Sequence, residues 1–265
     1  MKTGISTIAL RKYDVFKAIK LAKSAGFDGV EIWGKPPHIT EVYDESHIKK
    51  VKDAVDANGL VVCMYGSYVK PGTDGSDNLF DDSIKIAKLL DTKLIRIWPG
   101  AKEPQDADED YWEMVIDKLI EYGDIAEDNG LILSLEVHGG TLSATTDGAE
   151  RIIDMTNHNA IKLNWQIDLE EGDFEKVLGR LAKYTASVHA QNFKENAEGK
   201  MELSLISEGV VDYRKALDIL NKNGFNGFVE VEFLKGEFDE DENIMLNSLK
   251  ADAEFLREIT SKFNS

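Results

Sequence analysis

Short runs of β-branched, aliphatic and aromatic residues trade places along this chain with longer stretches whose apolar positions fall three and four residues apart. The short runs predict strands over Gly4–Ala9, Gly29–Trp33, Val61–Tyr65, Leu94–Trp98, Ile132–His138, Ile161–Gln166, Thr185–Ala190 and Gly227–Phe233. The longer stretches predict helices over Val15–Ser24, Ser46–Ala57, Asp81–Leu90, Tyr111–Glu127, Gly148–Met155, Phe174–Leu181, Tyr213–Lys222 and Ile244–Ser261. In the first of these, Val15, Ile19 and Ala22 fall at helical spacing, with Lys17, Lys20 and Lys23 on the other face. Gly26, Gly59, Gly130 and Gly224 each follow a helical stretch and precede a strand, the usual place of a left-handed helix end. Two segments echo each other: Ala25-Gly26-Phe27-Asp28-Gly29-Val30-Glu31-Ile32 and Asn223-Gly224-Phe225-Asn226-Gly227-Phe228-Val229-Glu230. Asn58–Val62 likewise echoes Asn129–Leu133, so one helix, glycine, strand unit is reused.

Strict alternation of strand and helix predicts a parallel sheet with right-handed crossovers. Eight repeats in 265 residues give about 33 residues per unit, which suits a (β/α)8 TIM barrel forming one domain over residues 1–265. A doubly wound open sheet is the competitor, but no Gly-x-Gly-x-x-Gly turn follows the first strand. The five prolines lie between periodic segments, and no Pro/Ser/Gly-rich linker divides the chain.

Charge narrows the function classes. With 31 Lys and Arg against 49 Asp and Glu, the net charge is −18, which disfavours binding to nucleic-acid phosphates or anionic membrane surfaces. No apolar run approaches the roughly 20 residues of a spanning helix. The single cysteine, Cys63, excludes an internal disulfide or a cysteine-built zinc cluster. No export-signal pattern is visible, so a cytoplasmic location is expected. The acidic run from Glu237 to Glu242 reads as a solvated approach to the last helix.

In such barrels the chemistry sits at the C-terminal strand ends, and alternate residues point inward. On the fifth strand Leu131, Leu133, Leu135 and Val137 form one face, and Ser134, Glu136 and His138 the other. A buried Glu136 needs a partner, either Arg96 of the fourth strand or a metal. His189 ends the inward face of the seventh strand with Ser187 and Gln191. On the eighth, Glu232 lies nearer the strand end, and the deeper Glu230 reads as a structural acid. Gln166 of the sixth strand falls at the level of Glu136 on this reading. Glu136, Gln166, His189 and Glu232 together make a mixed N/O site suited to Mn²⁺, Mg²⁺, Co²⁺ or Zn²⁺. His138 is a candidate to protonate or orient a substrate hydroxyl. Arg96 and Lys194 are candidate substrate contacts. Trp33 and Trp98 end strands with inward parity and suit the C–H face of a sugar, and Tyr65 and His38 hold similar positions.

The chain resembles the xylose isomerase-like TIM barrels, the sugar phosphate isomerase/epimerase group. The carriers are Gly26-Phe27-Asp28-Gly29-Val30-Glu31, Leu135-Glu136-Val137-His138, Val188-His189, and Gly224-Phe225-Asn226-Gly227 running to Glu232. The resemblance implies a divalent metal on Glu136, His189 and Glu232, with Glu136 and Glu232 trading a proton beside a substrate carbonyl. It implies a small sugar or polyol substrate and an isomerase or epimerase working through an enediolate. An inosose-type dehydratase shares the first step, and a non-catalytic carbohydrate-binding barrel is the third alternative. An endonuclease-IV-like enzyme shares the fold, but five histidines and a net −18 argue against it. The family often carries Asp, then His three residues later, on the sixth strand. Here those positions hold Gln166 and Leu169, which implies weaker metal binding or altered chemistry. Asp168 supplies the missing carboxylate only if the strand register differs. Such barrels often pair, so a homo-oligomer is compatible with the reading.

Overall fold

In a computed structural model describing residues 1–239 and 241–263, eight parallel strands close on themselves. They are β1 (Lys2–Ser6), β2 (Gly29–Trp33), β3 (Val61–Gly66), β4 (Leu94–Ile97), β5 (Ile132–Glu136), β6 (Ile161–Trp165), β7 (Thr185–Ala190) and β10 (Phe228–Val231). A separate antiparallel hairpin, β8 (Asn192–Glu195) and β9 (Met201–Ser204), follows β7. Each barrel strand neighbours its predecessor, and β10 closes the ring against β1. The helices are α1 (Val15–Ala25), α2 (Glu45–Ala57), α3 (Ser76–Leu89), α4 (Glu109–Asp128), α5 (Thr146–Thr156), α6 (Phe174–Leu181), α7 (Tyr213–Lys222) and α8 (Glu242–Ser261). The chain is thus a single-domain TIM barrel. No helix among the described residues is long and apolar enough to cross a membrane.

Alternation along the strands sorts the side chains into two environments. Ile32, Ile95, Ile97, Leu133, Leu135, Leu163 and Val188 are buried in the hydrophobic core between barrel and helices. The inward residues of β5, β6 and β7 are polar. The Ser187 hydroxyl donates to Asn164 Oδ1 (3.0 Å) and meets Ser134 Oγ at 2.7 Å. Seven helices begin on a side-chain cap that accepts a first-turn N–H: Asp14, Asp44, Asp108, Thr145, Asp173, Asp212 and Asp241. Helices run back against the strands in this fold, so these caps lie on the face where the strands end.

Several local features differ from the sequence-based expectation. The first strand ends at Ser6, and Thr7–Leu10 form a 3₁₀ turn. Helix α3 starts five residues early because Tyr122 ties its first turn, donating to Asp77 at 2.6 Å and meeting Ser76 Oγ at 3.1 Å. Strand β3 carries a bulge: Val30 pairs with Val62, but Glu31 pairs with Met64. The acidic run before α8 is only partly solvated, since Glu237 turns in to pair with Arg11 at 3.1 Å and its side chain is 3% exposed. Glu240 of that run lies outside the described residues.

Candidate active site

The ends of β2, β4, β5, β7 and β10 bring five charged or ionisable side chains into one buried cluster. His189 (β7) is its hub. Its Nε2 lies 2.9 Å from Glu31 Oε2, and its Nδ1 lies 3.2 Å from Glu136 Oε1 and 3.3 Å from Glu232 Oε1. Arg96 reaches Glu136 Oε2 at 3.2 Å and Glu31 Oε1 at 3.8 Å. The Trp98 indole N–H donates to Glu136 Oε2. These side chains are buried apart from Trp98, which is half-buried.

Packing charges this densely shifts their protonation. Burial alone would raise the Glu136 pKa, but Arg96 and His189 together hold it down to about 2. Burial works against a charged His189, yet the Glu232 and Glu31 carboxylates, with hydrogen bonds to Glu136 and Glu232, raise its pKa well above the ordinary imidazole value. Glu230 lies deeper, against the Cys63 thiol. Burial, then the Glu31 charge, pushes it to about 8, so it is mostly neutral at pH 7. Burial and the same acids raise the Cys63 thiol.

Two trios offer donor atoms close enough to share a cation: Glu136, His189 and Glu232, and Glu31, His189 and Glu230. The first fits a divalent ion. Two donors each about 2.1 Å from one ion, at right-angled to tetrahedral geometry, stand about 3.0–3.4 Å apart. The separations from Nδ1 to the two carboxylates fall within that range, and Glu232 Oε2 is buried without a partner.

The remaining candidates divide. Above the cluster, the Trp98 and His138 rings stack at 4.5 Å, Tyr68 lies 5.6 Å from Trp98, and the Trp33 indole N–H donates to Tyr68 at 2.6 Å. His138 Nδ1 lies 2.6 Å from the Gly139 carbonyl. That contact places the proton on Nδ1 and leaves Nε2 with the lone pair. His138 lines a cleft of about 570 Å³ with Gln166, Asp168, Gln191, Glu170 and Glu171.

Gln166 does not turn an oxygen to the cluster. Its amide donates to Val137 O at 2.9 Å, and its Oε1 accepts from Gln191 at 3.1 Å. Strand pairing sets Asn164 opposite Glu136, so Gln166 stands one pleat further along than the sequence suggested. Asp168 lies beyond the strand, where its Oδ1 accepts from the Glu170 backbone. Tyr65 faces away from the barrel interior. The β3 bulge inserts one residue, which pairs Tyr65 with the outward Ile32 and sets it in a groove with Ile39, Leu79 and Ile86. His38 is buried, with one nitrogen 2.8 Å from Thr7 Oγ1 and the other 3.1 Å from Tyr13 O. Burial pulls its pKa down to about 4, so it is a neutral structural residue and not a substrate contact. Lys194 sits in the hairpin and pairs with Glu208 at 3.1 Å. Glu31 was not among the sequence candidates. Its signal was its place between Gly29 and Trp33 on the face that already singled out Trp33.

Residues 19–259 match the xylose isomerase-like TIM barrel family. The chain belongs to that family. Among curated relatives, the inosose dehydratase of Serratia proteamaculans is 23% identical over 242 residues, covering 78% of each chain. Among solved structures, a probable 3-DHS dehydratase from Bacillus anthracis superposes with TM-score 0.78 at 18% identity, covering 97% of this chain and 98% of its own. The IOLI protein, crystallised with a zinc atom, superposes with TM-score 0.80 at 18% identity, covering 99% of each. The structural likenesses show the fold. The curated dehydratase relatives overturn the expectation of an isomerase or epimerase and favour the dehydratase alternative.

Proposed function

We propose that the protein is a divalent-metal-dependent dehydratase that removes water from a β-hydroxy ketone of the inosose class. The observation that carries this reading is a division of labour. Glu136 is locked as a carboxylate by Arg96 and Trp98, while His138 offers a free Nε2 at the cleft. Glu136, His189 and Glu232 would hold a divalent ion (Mn²⁺, Mg²⁺, Co²⁺ or Zn²⁺), which when bound would supply Lewis acidity for a substrate carbonyl.

The chain's own residues do the rest. Trp33 offers an aromatic ring to the C–H side of a polyol, while the Trp98 ring is covered by His138 and Lys70. Stacking on Trp98 and the bond to Gly139 O fix the orientation of His138. His138 Nε2 takes the proton from the carbon beside the carbonyl. The electron pair of that C–H bond forms the new C=C bond as the β C–O bond breaks. The imidazolium then gives its proton to the departing hydroxyl, so water leaves and His138 returns to neutral. Gln166 and Gln191 line the cleft with amides suited to polyol hydroxyls.

The test is turnover of an inosose by Mn²⁺-loaded protein, followed by absorbance of the conjugated product and by mass. Loss of one water is expected. His138→Asn should lower kcat by about 10²–10⁴ while bound metal stays unchanged. An epimer formed without water loss, or a fully active His138→Asn variant, would sink the reading.

A further inference from the structure

We propose that Glu31 is a positioning residue that sets which nitrogen of His189 faces the cation, and that position 66 is glycine to leave room for it. The inference rests on the metal reading above. Glu31 Oε2 lies 2.9 Å from His189 Nε2, and both side chains are fully buried. A carboxylate accepts hydrogen bonds, so this contact holds a proton on Nε2 and leaves Nδ1, which faces Glu136 and Glu232, as the nitrogen that would exchange its proton for a cation. The other oxygen of Glu31 lies 3.8 Å from Arg96 Nε, close enough for charge attraction but without a hydrogen bond.

Space at position 66 supports the same arrangement. A Cβ on Gly66 would run into Glu31 Oε1 and come within 3.4 Å of Arg96 Nη2. The β3 bulge is what brings this position to the inward face, paired with Trp33. The arrangement also separates the two donor trios. If Glu31 holds the Nε2 proton, that nitrogen is closed to a cation, and the trio with Glu230 does not bind one.

The test uses the full chain loaded with Zn²⁺ and labelled with ¹⁵N-histidine. Zinc affinity is measured by competition with a chromophoric chelator, and long-range ¹H–¹⁵N spectra read the coordinated nitrogen of His189. Wild type should bind through Nδ1 and show a protected Nε2 proton. Glu31→Leu should bind zinc about 10–100-fold more weakly and lose that proton signal. Glu31→Gln should lose less, because its amide oxygen still accepts. Gly66→Ala keeps every charge and should weaken zinc in the same direction; it guards against a Glu31→Leu chain that fails to fold. Coordination through Nε2, or wild-type affinity in both Glu31→Leu and Gly66→Ala, would overturn the proposal while leaving a metal enzyme standing. A wild type that binds no zinc, manganese or cobalt would overturn the metal reading and this inference with it.

Discussion

Arg96 stands 2% exposed between two carboxylates, Glu31 and Glu136. Deleting its charge leaves both acids buried with no cation but His189. Arg96→Met should therefore cost about 3–5 kcal/mol in stability, measured by urea denaturation of the metal-free protein. A loss under 1 kcal/mol would show that the interior reorganises around the missing charge. At this scale the sequence was readable wherever a strand alternates without interruption. Glu136, His189 and Glu232 follow from parity alone, because apolar neighbours on either side force them inward. Tyr65 was misplaced because a bulge shifts parity by one residue, and nothing in Val-Val-Cys-Met-Tyr-Gly marks where the extra residue sits. Gln166 was misjudged in level for a related reason: pairing between β5 and β6 depends on stagger around the barrel, which no single strand encodes.

The βα units were legible as elements because each carries its own punctuation. A helix cap, an amphipathic run, a terminal turn and a buried strand recur within about 33 residues. Caps make the clearest case. Asp212 accepts from the backbone N–H groups of Arg214 and Lys215 at the start of α7. Asp212→Ala should destabilise the protein by about 1 kcal/mol, read as a shift in denaturation midpoint without a change in slope. The hairpin of β8 and β9 went unread. Its strands are four residues each, too short for periodicity to show. Its turn is held by the Asn196 side chain, which accepts from the N–H groups of Glu198 and Lys200. An asparagine with a glycine three residues on was the available signal.

Across the whole molecule, acid titration is set by groups far from the chemistry as well as within it. Asp252 of α8 accepts from Ile206 N at 2.8 Å, and its second oxygen is buried without a partner. Burial lifts its pKa from 3.8 to about 7. The folded chain then holds a proton that the unfolded chain releases near pH 4, so this group's contribution to stability falls as pH rises from about 4 to about 7 and is level above. Asp252→Asn keeps an acceptor for Ile206 without the charge. It should stabilise the protein by up to a few kcal/mol at pH 8 and by much less at pH 4, checked by denaturation at the two values. An equal effect at both would count against the burial argument. Cys63, the only cysteine in the chain, lies inside the barrel with its thiol raised by burial and by Glu230. A thiol reagent in bulk solvent meets it only after strands part, so its rate of labelling times the opening of the barrel itself. The sequence has thereby furnished its own clock for the lifetime of the closed sheet.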